Sequence, residues 1–225
     1  MNDTVNWLFL DLNAYFASVE QQVTPALRGV PVVVVPVMTD ATCCIAVSYE
    51  ARPFGIRTGT LVREARALCP SLRCVEARQD LYVTYHHRIL EAVESCIPIE
   101  NVLSIDEMIC RLSGSQRQVG EAVGLAHKIK WVIAEKVGPL LRCSIGLATN
   151  RFLAKVASDF QKPDGLTVLR EQDVPGKLYA MAVRELPGIG EQMESRLHAA
   201  GIRTVQQLCG FSPPRDEAFM GWCCR

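Results

Sequence analysis

The sequence lacks three patterns that mark common classes of protein. It has no C-x-x-C pair, the spacing typical of zinc sites, although it contains ten cysteines. No apolar run approaches the roughly 20 residues needed to span a bilayer, and no signal peptide is expected because Met1-Asn2-Asp3 leads directly into a strand-like run. We therefore expect reduced cysteines, a cytoplasmic location (nucleoid-associated if the source is bacterial) and no membrane partner.

The sequence also lacks a net charge, since 24 basic residues balance 24 acidic ones. This balance argues against a generally basic surface for nucleic acid, but it allows a local basic groove. A composition with 49% hydrophobic and 21% charged residues is that of a folded protein. The 225 residues suffice for one large domain or two small ones.

Hydrophobic patterning predicts strands and helices that do not alternate strictly. WLFLDL at 7–12 and the β-branched PVVVVP at 31–36 are typical of strands, and Asn150 is placed to cap a helix that reaches Phe160. This mixture favours an α+β fold, with a sheet that carries helices on one face. After about residue 170 only short helices are predicted, around LPGIG at 186–190, so we place a domain boundary there.

Three carboxylates lie in apolar surroundings, where an ionised group is expensive unless a partner neutralises it. Asp11 ends the apolar run LFLDL, and Asp106 and Glu107 lie side by side in VLSIDEMICRL at 102–112. A divalent cation between the two sites would solve both problems, because Mg²⁺ prefers carboxylate oxygens and usually shares substrate phosphates. The alternative is that Asp11 caps the following helix and that the other two carboxylates lie in an exposed turn.

Five motifs in one order resemble those of the Y-family (translesion) DNA polymerases of the UmuC/DinB-like kind. Together they span nearly the whole chain. They are DLNAYFASVE at 11–20, YEARPFGIR at 49–57, SIDE at 104–107, KPDG at 162–165 and LPGIG at 186–190.

The resemblance implies a fold with three parts. The palm, which carries catalysis, would comprise 1–11 and 79–169, and the fingers 12–78. A thumb with a helix-hairpin-helix would comprise 170–225. The family's little-finger DNA-binding domain is expected to be absent and the thumb truncated, so the chain is either the catalytic portion of a longer protein or a short form with poor DNA retention.

The same resemblance assigns catalysis and metal binding. Asp11, Asp106 and Glu107 would be the catalytic carboxylates and would hold two Mg²⁺ ions, with the carbonyl of Leu12 completing one site. Ions held in this way activate a primer 3′-hydroxyl and neutralise charge that develops on the α-phosphate.

The resemblance also implies a nucleotide pocket. Phe16 would be the steric gate that crowds a ribose 2′-hydroxyl, and Tyr15 would line the same sugar pocket. Tyr49 and Arg52 would hold the triphosphate, and Lys162 would act on its β- and γ-phosphates. Without the resemblance, Phe16 would be interpreted as a core side chain and Arg52 as a solvent-exposed one.

One position in this pocket departs from the family pattern. Many relatives carry a threonine three residues before the tyrosine, where this chain has Ala46. The loss of one phosphate hydrogen bond is expected to weaken nucleotide binding by about 0.5–1.5 kcal/mol without removing the chemistry.

In the thumb, Gly188, Ile189 and Gly190 are expected to contact DNA. The glycines would let backbone N–H groups face a phosphate at a helix N-terminus, a contact that does not depend on base sequence. The alternative is an ordinary turn between two helices. Glu194 and two further glutamates nearby add negative charge to this part of the chain, so weak DNA binding is predicted.

The leading hypothesis is a template-directed, Mg²⁺-dependent DNA polymerase of the translesion class, acting on template-primer DNA and dNTP. A sliding clamp would bind through a region absent from this chain. A non-catalytic or weakly active polymerase-like DNA-damage accessory protein is the second hypothesis. A nucleotide cyclase-like palm is a third, against which the helix-hairpin-helix and the YEAR stretch argue.

Overall fold

The computed structural model describes residues 4–211, which form two compact units that divide between Arg170 and Glu171. Strands and helices are mixed along the chain, as predicted. The strands are β1 Trp7–Leu12, β2 Val32–Val35, β3 Ala46–Val47, β4 Arg73–Glu76, β5 Asn101–Val102, β6 Glu107–Arg111, β7 Cys143–Ala148 and β8 Leu166–Leu169. The α-helices are α1 Tyr15–Val23, α2 Val62–Leu68, α3 Gln79–Glu94, α4 Val119–Lys136, α5 Arg151–Phe160, α6 Glu191–Ala199 and α7 Val205–Gly210.

The first unit is built on a five-stranded sheet in the order β5-β6-β1-β7-β8. β1 is central and pairs antiparallel with both β6 and β7, whereas β7 and β8 are parallel. A central strand is buried on both faces, which explains why WLFLDL is apolar at almost every position. The predicted α+β fold with a mixed sheet is confirmed.

Helices cover both faces of this sheet, so the expectation that they lie on one face was wrong. Leu8 and Leu10 point into the core formed with α3 and α4. The opposite face of the sheet carries Phe9 and Gly146, which are register partners, and α5 packs on it. Gly146 allows α5 to pack this closely on the sheet, because a Cβ at that position would lie 2.0 Å from the carbonyl oxygen of Ala154 in α5.

A second, three-stranded sheet in the first unit has the order β3-β2-β4. Its central strand β2 is the predicted PVVVVP run, and all four valines are buried. Val34 belongs to the core of the larger sheet, whereas Val33 and Val35 pack with Val62 and Ala65 of α2. This sheet therefore joins the main core on one face and α2 on the other.

The second unit has a small apolar core of its own, formed by Val183, Leu197 and Ile202. α7 begins at a capping box, in which the Thr204 hydroxyl accepts from the Gln207 N–H at 3.3 Å. The palm, fingers and thumb assignment remains a prediction. The last part of the predicted thumb, 212–225, lies outside the described residues, as does the cysteine pair at 223–224.

Each helix within 4–211 is too short or too polar to cross a bilayer. The cysteines in this range are free.

Candidate active site

A cavity of about 330 Å³ in the first unit collects the nine residues that the sequence predicts for catalysis, metal binding and nucleotide binding. The cavity lies where β1 and β6 meet, and β3 and the segment after it contribute its other wall. The predicted residues on its surface are Asp11, Leu12, Tyr15, Phe16, Tyr49, Arg52, Asp106, Glu107 and Lys162. Residues as far apart in sequence as Asp11 and Lys162 thus line one pocket.

Antiparallel pairing brings two of the three carboxylates together. Asp11 and Glu107 are register partners at one end of the β1–β6 pairing. Register partners project to the same face of a sheet. Asp106 precedes β6, in the loop of the β5–β6 hairpin, where its Oδ1 accepts from the Ser104 hydroxyl at 2.6 Å. Within the described residues, no three His, Cys, Asp or Glu side chains are grouped as a metal site.

Asp11 does not cap the helix that follows it. The N-cap of α1 is Ala14, without a side-chain capping bond. Asp11 is buried, with its side chain 9% exposed, and its carboxylate instead accepts from lysines. The capping alternative considered for Asp11 is therefore wrong.

The first of these lysines, Lys155, was not predicted from the sequence. It projects from α5, and its Nζ lies 2.7 Å from Asp11 Oδ2, 2.8 Å from Glu107 Oε1 and 3.3 Å from Asp159. Burial lowers the pKa of the Lys155 ammonium, but the carboxylates, Asp11 foremost, more than offset this, and the net pKa is raised. Lys155 is therefore a positive charge that bridges the two register partners.

The second lysine, Lys162, contacts the same carboxylate oxygen. Its Nζ lies 2.7 Å from Asp11 Oδ2 and 2.8 Å from Asp159 Oδ1. Burial again acts to lower the pKa of the ammonium, and Asp11 and Asp159 raise it by more. Lys155 and Lys162 thus form one ionic network with three carboxylates, those of Asp11, Glu107 and Asp159.

Asn13 fastens the KPDG loop to the site. This buried side chain donates to the Ser144 hydroxyl at 3.1 Å, and its Oδ1 accepts from the backbone N–H of Asp164 at 2.7 Å. The glycine of the motif is also required, because a Cβ on Gly165 would lie 1.9 Å from the carbonyl oxygen of Gln161. The loop that carries Lys162 therefore has a fixed position relative to β1.

The aromatic wall of the cavity is a packed cluster. The ring of Phe16 stacks on Tyr82 with centroids 4.4 Å apart. Tyr15 is buried, its hydroxyl donates to the carbonyl of Tyr82 at 2.7 Å, and burial raises its pKa. Phe16 is thus partly a core residue and partly pocket lining, so its two interpretations are compatible.

The opposite wall is formed by the YEAR segment. The guanidinium of Arg52 lies over the ring of Tyr49 at 4.0 Å from its centroid, and its Nε donates to the carbonyl of Val47 at 3.4 Å. Burial raises the pKa of the Tyr49 hydroxyl, which therefore stays protonated and able to donate. Ala46 also lines the cavity and supplies no hydroxyl there.

The predicted DNA-contacting residues lie in the second unit, in the turn that leads into α6. Gly188 has a φ of 88°, which favours glycine, whereas Gly190 is the N-cap of α6 with an ordinary φ of −83°. Ile189 packs against the small core of this unit. Arg184 is paired with Glu194 at 3.2 Å.

Sequence reasoning missed four residues of the site or its support: Asn13, Thr58, Lys155 and Asp159. One signal was available for two of them. Lys155 and Asp159 are four positions apart on a helix, and Lys162 follows three positions later, so the three charges share a side of α5 and its end. That pattern alone does not indicate which strand the side faces.

The fold is that of the Y-family DNA polymerases. It superposes on a chimeric Y-family DNA polymerase with a TM-score of 0.81 at 29% identity, covering 92% of this chain and 61% of that one. DinB from Sulfolobus solfataricus gives a TM-score of 0.79 at 30% identity, covering 92% of this chain and 60% of that one. The resemblance seen in the motifs is confirmed.

Residues 10–159 match the model of the impB/mucB/samB family, and the chain belongs to that family. A similar curated protein is DNA polymerase IV of Moorella thermoacetica, which is 44% identical over 208 residues, covering 91% of this chain and 51% of that protein. The chain spans about half the length of the curated relatives it matches.

Proposed function

We propose that this chain is the catalytic portion of a translesion DNA polymerase, which transfers a nucleotide from dNTP to a primer 3′-hydroxyl on template DNA. The observation that carries the proposal is the composition of the cavity at the junction of β1 and β6. Carboxylates of β1 and β6 form one side of it, and the cationic and aromatic groups Arg52, Tyr49 and Phe16 form the other. The names of the relatives, DNA polymerase IV, and the similarity in fold support the same reaction.

We assign two Mg²⁺ ions to the oxygen donors at the junction of β1 and β6, on the chemistry of those donors. Asp11, Asp106 and Glu107 offer carboxylate oxygens and Leu12 a carbonyl oxygen, which are the ligands that Mg²⁺ prefers. When bound there, the ions would lower the pKa of the primer hydroxyl and offset charge on the α-phosphate.

The chain's own residues position the nucleotide in this proposal. Arg52 presents a planar guanidinium suited to phosphate oxygens, held in place by its stacking on Tyr49. Lys162 adds a point charge for the β- and γ-phosphates. Phe16, fixed by stacking on Tyr82, limits the space next to the sugar.

In the second unit, we assign DNA contact to the turn Gly188-Ile189-Gly190. The N–H groups at the start of α6 would face a backbone phosphate, so the contact would be independent of base sequence. The ion pair of Glu194 with Arg184 withdraws one positive charge from this surface, which supports the expected weak grip.

Primer extension by the purified chain tests the proposed reaction, at high enzyme concentration and with Mg²⁺. Asp106→Asn and Glu107→Gln should each lower the extension rate by a factor of about 10³ or more, because each removes charge that stabilises the transition state. Asp80→Asn is the matched control, since Asp80 is an exposed carboxylate on α3. If Asp106→Asn extended primers as fast as the Asp80→Asn control, the catalytic assignment would be wrong.

A further inference from the structure

The ammonium of Lys162 contacts the carboxylate of Asp11, although the proposed function assigns Lys162 to the triphosphate. Its Nζ is 2.7 Å from Asp11 Oδ2 and 2.8 Å from Asp159 Oδ1, so two carboxylates satisfy the ammonium within the protein. The Asp11 oxygen that accepts from Lys162 also accepts from Lys155. One oxygen of the proposed metal ligand is therefore engaged by two cations.

A divalent ion that bound Asp11 in this arrangement would meet positive charge at close range. Like charges about 4 Å apart repel by several times the thermal energy, even at the effective dielectric constant near a protein surface. Lys155 is also held by Glu107 at 2.8 Å, whereas the partners of Lys162 in the ionic network are Asp11 and Asp159. Because it has fewer carboxylate partners than Lys155, Lys162 is the cation that can leave Asp11 more readily.

A triphosphate offers the ammonium of Lys162 an alternative partner. Lys162 and Arg52 line the same cavity, and a lysine side chain is a flexible four-carbon stem that can reorient over several ångströms. A phosphate group held by Arg52 would thus compete with Asp11 for this ammonium. Movement of Lys162 toward the phosphate would remove both a contact and a positive charge from Asp11.

We propose that Lys162 couples cation binding to triphosphate binding, by occupying Asp11 until a triphosphate draws its ammonium away. Asp159 is the second carboxylate that holds Lys162 at this resting position. The inference rests on the proposed function, because it takes Asp11 as a metal ligand and a nucleoside triphosphate as the substrate. In the free protein, Lys162 then acts as a resident cation that keeps the affinity for divalent ions low.

The test is the binding of Mn²⁺ alone, without DNA or nucleotide, followed through the electron paramagnetic resonance signal of the free ion. Lys162→Ala and Lys162→Gln should each bind Mn²⁺ about tenfold more tightly than the unaltered chain, because each removes the competing charge. Lys162→Arg retains the charge and should keep the low affinity. Lys128→Ala is the matched control, since it removes an exposed lysine of α4.

A double variant shows where the gain in affinity arises. In an Asp11→Asn background, Lys162→Ala should no longer increase Mn²⁺ affinity, because the carboxylate that it frees is missing. Unchanged Mn²⁺ affinity in both Lys162→Ala and Lys162→Gln would overturn the inference, and so would equal tightening in Lys162→Arg. These results are independent of primer extension, so failure of the coupling is distinguishable from failure of the proposed polymerase function.

Discussion

Lys155 Nζ lies 2.7 Å from Asp11 Oδ2, although 144 positions separate the two residues in the sequence. The contact joins α5 to the central strand at the point where the carboxylates of β1 and β6 meet. It also identifies a cationic residue of the cavity that no sequence motif indicated.

Lys155→Met should lower the free energy of unfolding of the first unit by about 1–3 kcal/mol, because Glu107 and Asp11 lose a buried charged partner. The pKa of Lys155 is raised in the folded protein, burial opposing and Asp11 dominating the balance. A raised pKa stabilises the fold fully below the ordinary lysine value of about 10.4 and loses that effect as the pH rises through the folded value.

Urea unfolding of both proteins at several pH values measures this effect. The difference between the two should stay constant from about pH 7 to pH 9 and shrink above about pH 10.4. A difference that vanished already at pH 8 would show that Lys155 contributes through its carbon chain and not through its charge.

Gly146→Ala should destabilise the first unit by about 1–3 kcal/mol or more, because the added methyl group meets the backbone of α5. Its Cβ would lie 2.0 Å from the Ala154 oxygen and 2.5 Å from the Ser158 nitrogen. Gly120→Ala is the matched control, since no atom beyond its chain neighbours and its own helix backbone lies within 4 Å of a Cβ at that position. The control should be neutral or stabilising by about 0.5–1 kcal/mol in the same urea titration.

Phe16→Ala should raise the ratio of ribonucleotide to deoxynucleotide incorporation by about tenfold or more, because it opens space beside the sugar. Phe16→Tyr keeps the ring and should leave the ratio nearly unchanged. Single-nucleotide insertion assays with matched ribo- and deoxynucleotides measure it. An unaltered ratio in Phe16→Ala would show that Phe16 serves only to pack against Tyr82.

Cys110 and Cys143 should resist alkylation in the folded protein. Burial raises the pKa of each thiol to about 12, so at pH 8 the reactive thiolate is a very minor species. The exposed Cys43 and Cys209 should react first with iodoacetamide, as followed residue by residue by mass spectrometry.

The same two thiols predict a loss of stability in alkali. A thiol whose pKa is raised on folding stabilises the protein fully below its unfolded value of about 8.5, and this contribution is lost as the pH rises toward the folded value. For the alkylation experiment, labelling of Cys110 by iodoacetamide as fast as Cys43 in the native protein would contradict the burial of Cys110.

Much of the local structure was predictable because it depends on neighbours in the sequence. WLFLDL was predicted as a strand over 7–12 and is β1 with the same bounds. Asn150 was predicted to cap a helix, and its Oδ1 accepts from the Leu153 N–H at 2.8 Å. Both rest on side-chain patterns within a few residues, which hydrophobic periodicity and capping chemistry describe well.

The number of sheet faces that helices cover was not predictable from such patterns. Which face of the sheet α5 covers depends on Gly146, a residue of β7, and on its close approach to Ala154. A glycine in a strand indicates only that something approaches closely.

The sequence by itself determined the chemistry available to this protein: three carboxylates, a lysine-bearing KPDG loop and a tyrosine-arginine segment, in the order of the Y-family motifs. The tertiary structure decided their relations, because β1–β6 pairing sets Asp11 opposite Glu107 and the packing of α5 brings Lys155 to both. Strand register and helix docking depend on contacts between distant parts of the chain. The ionic partners of the carboxylates are for that reason visible only in the fold.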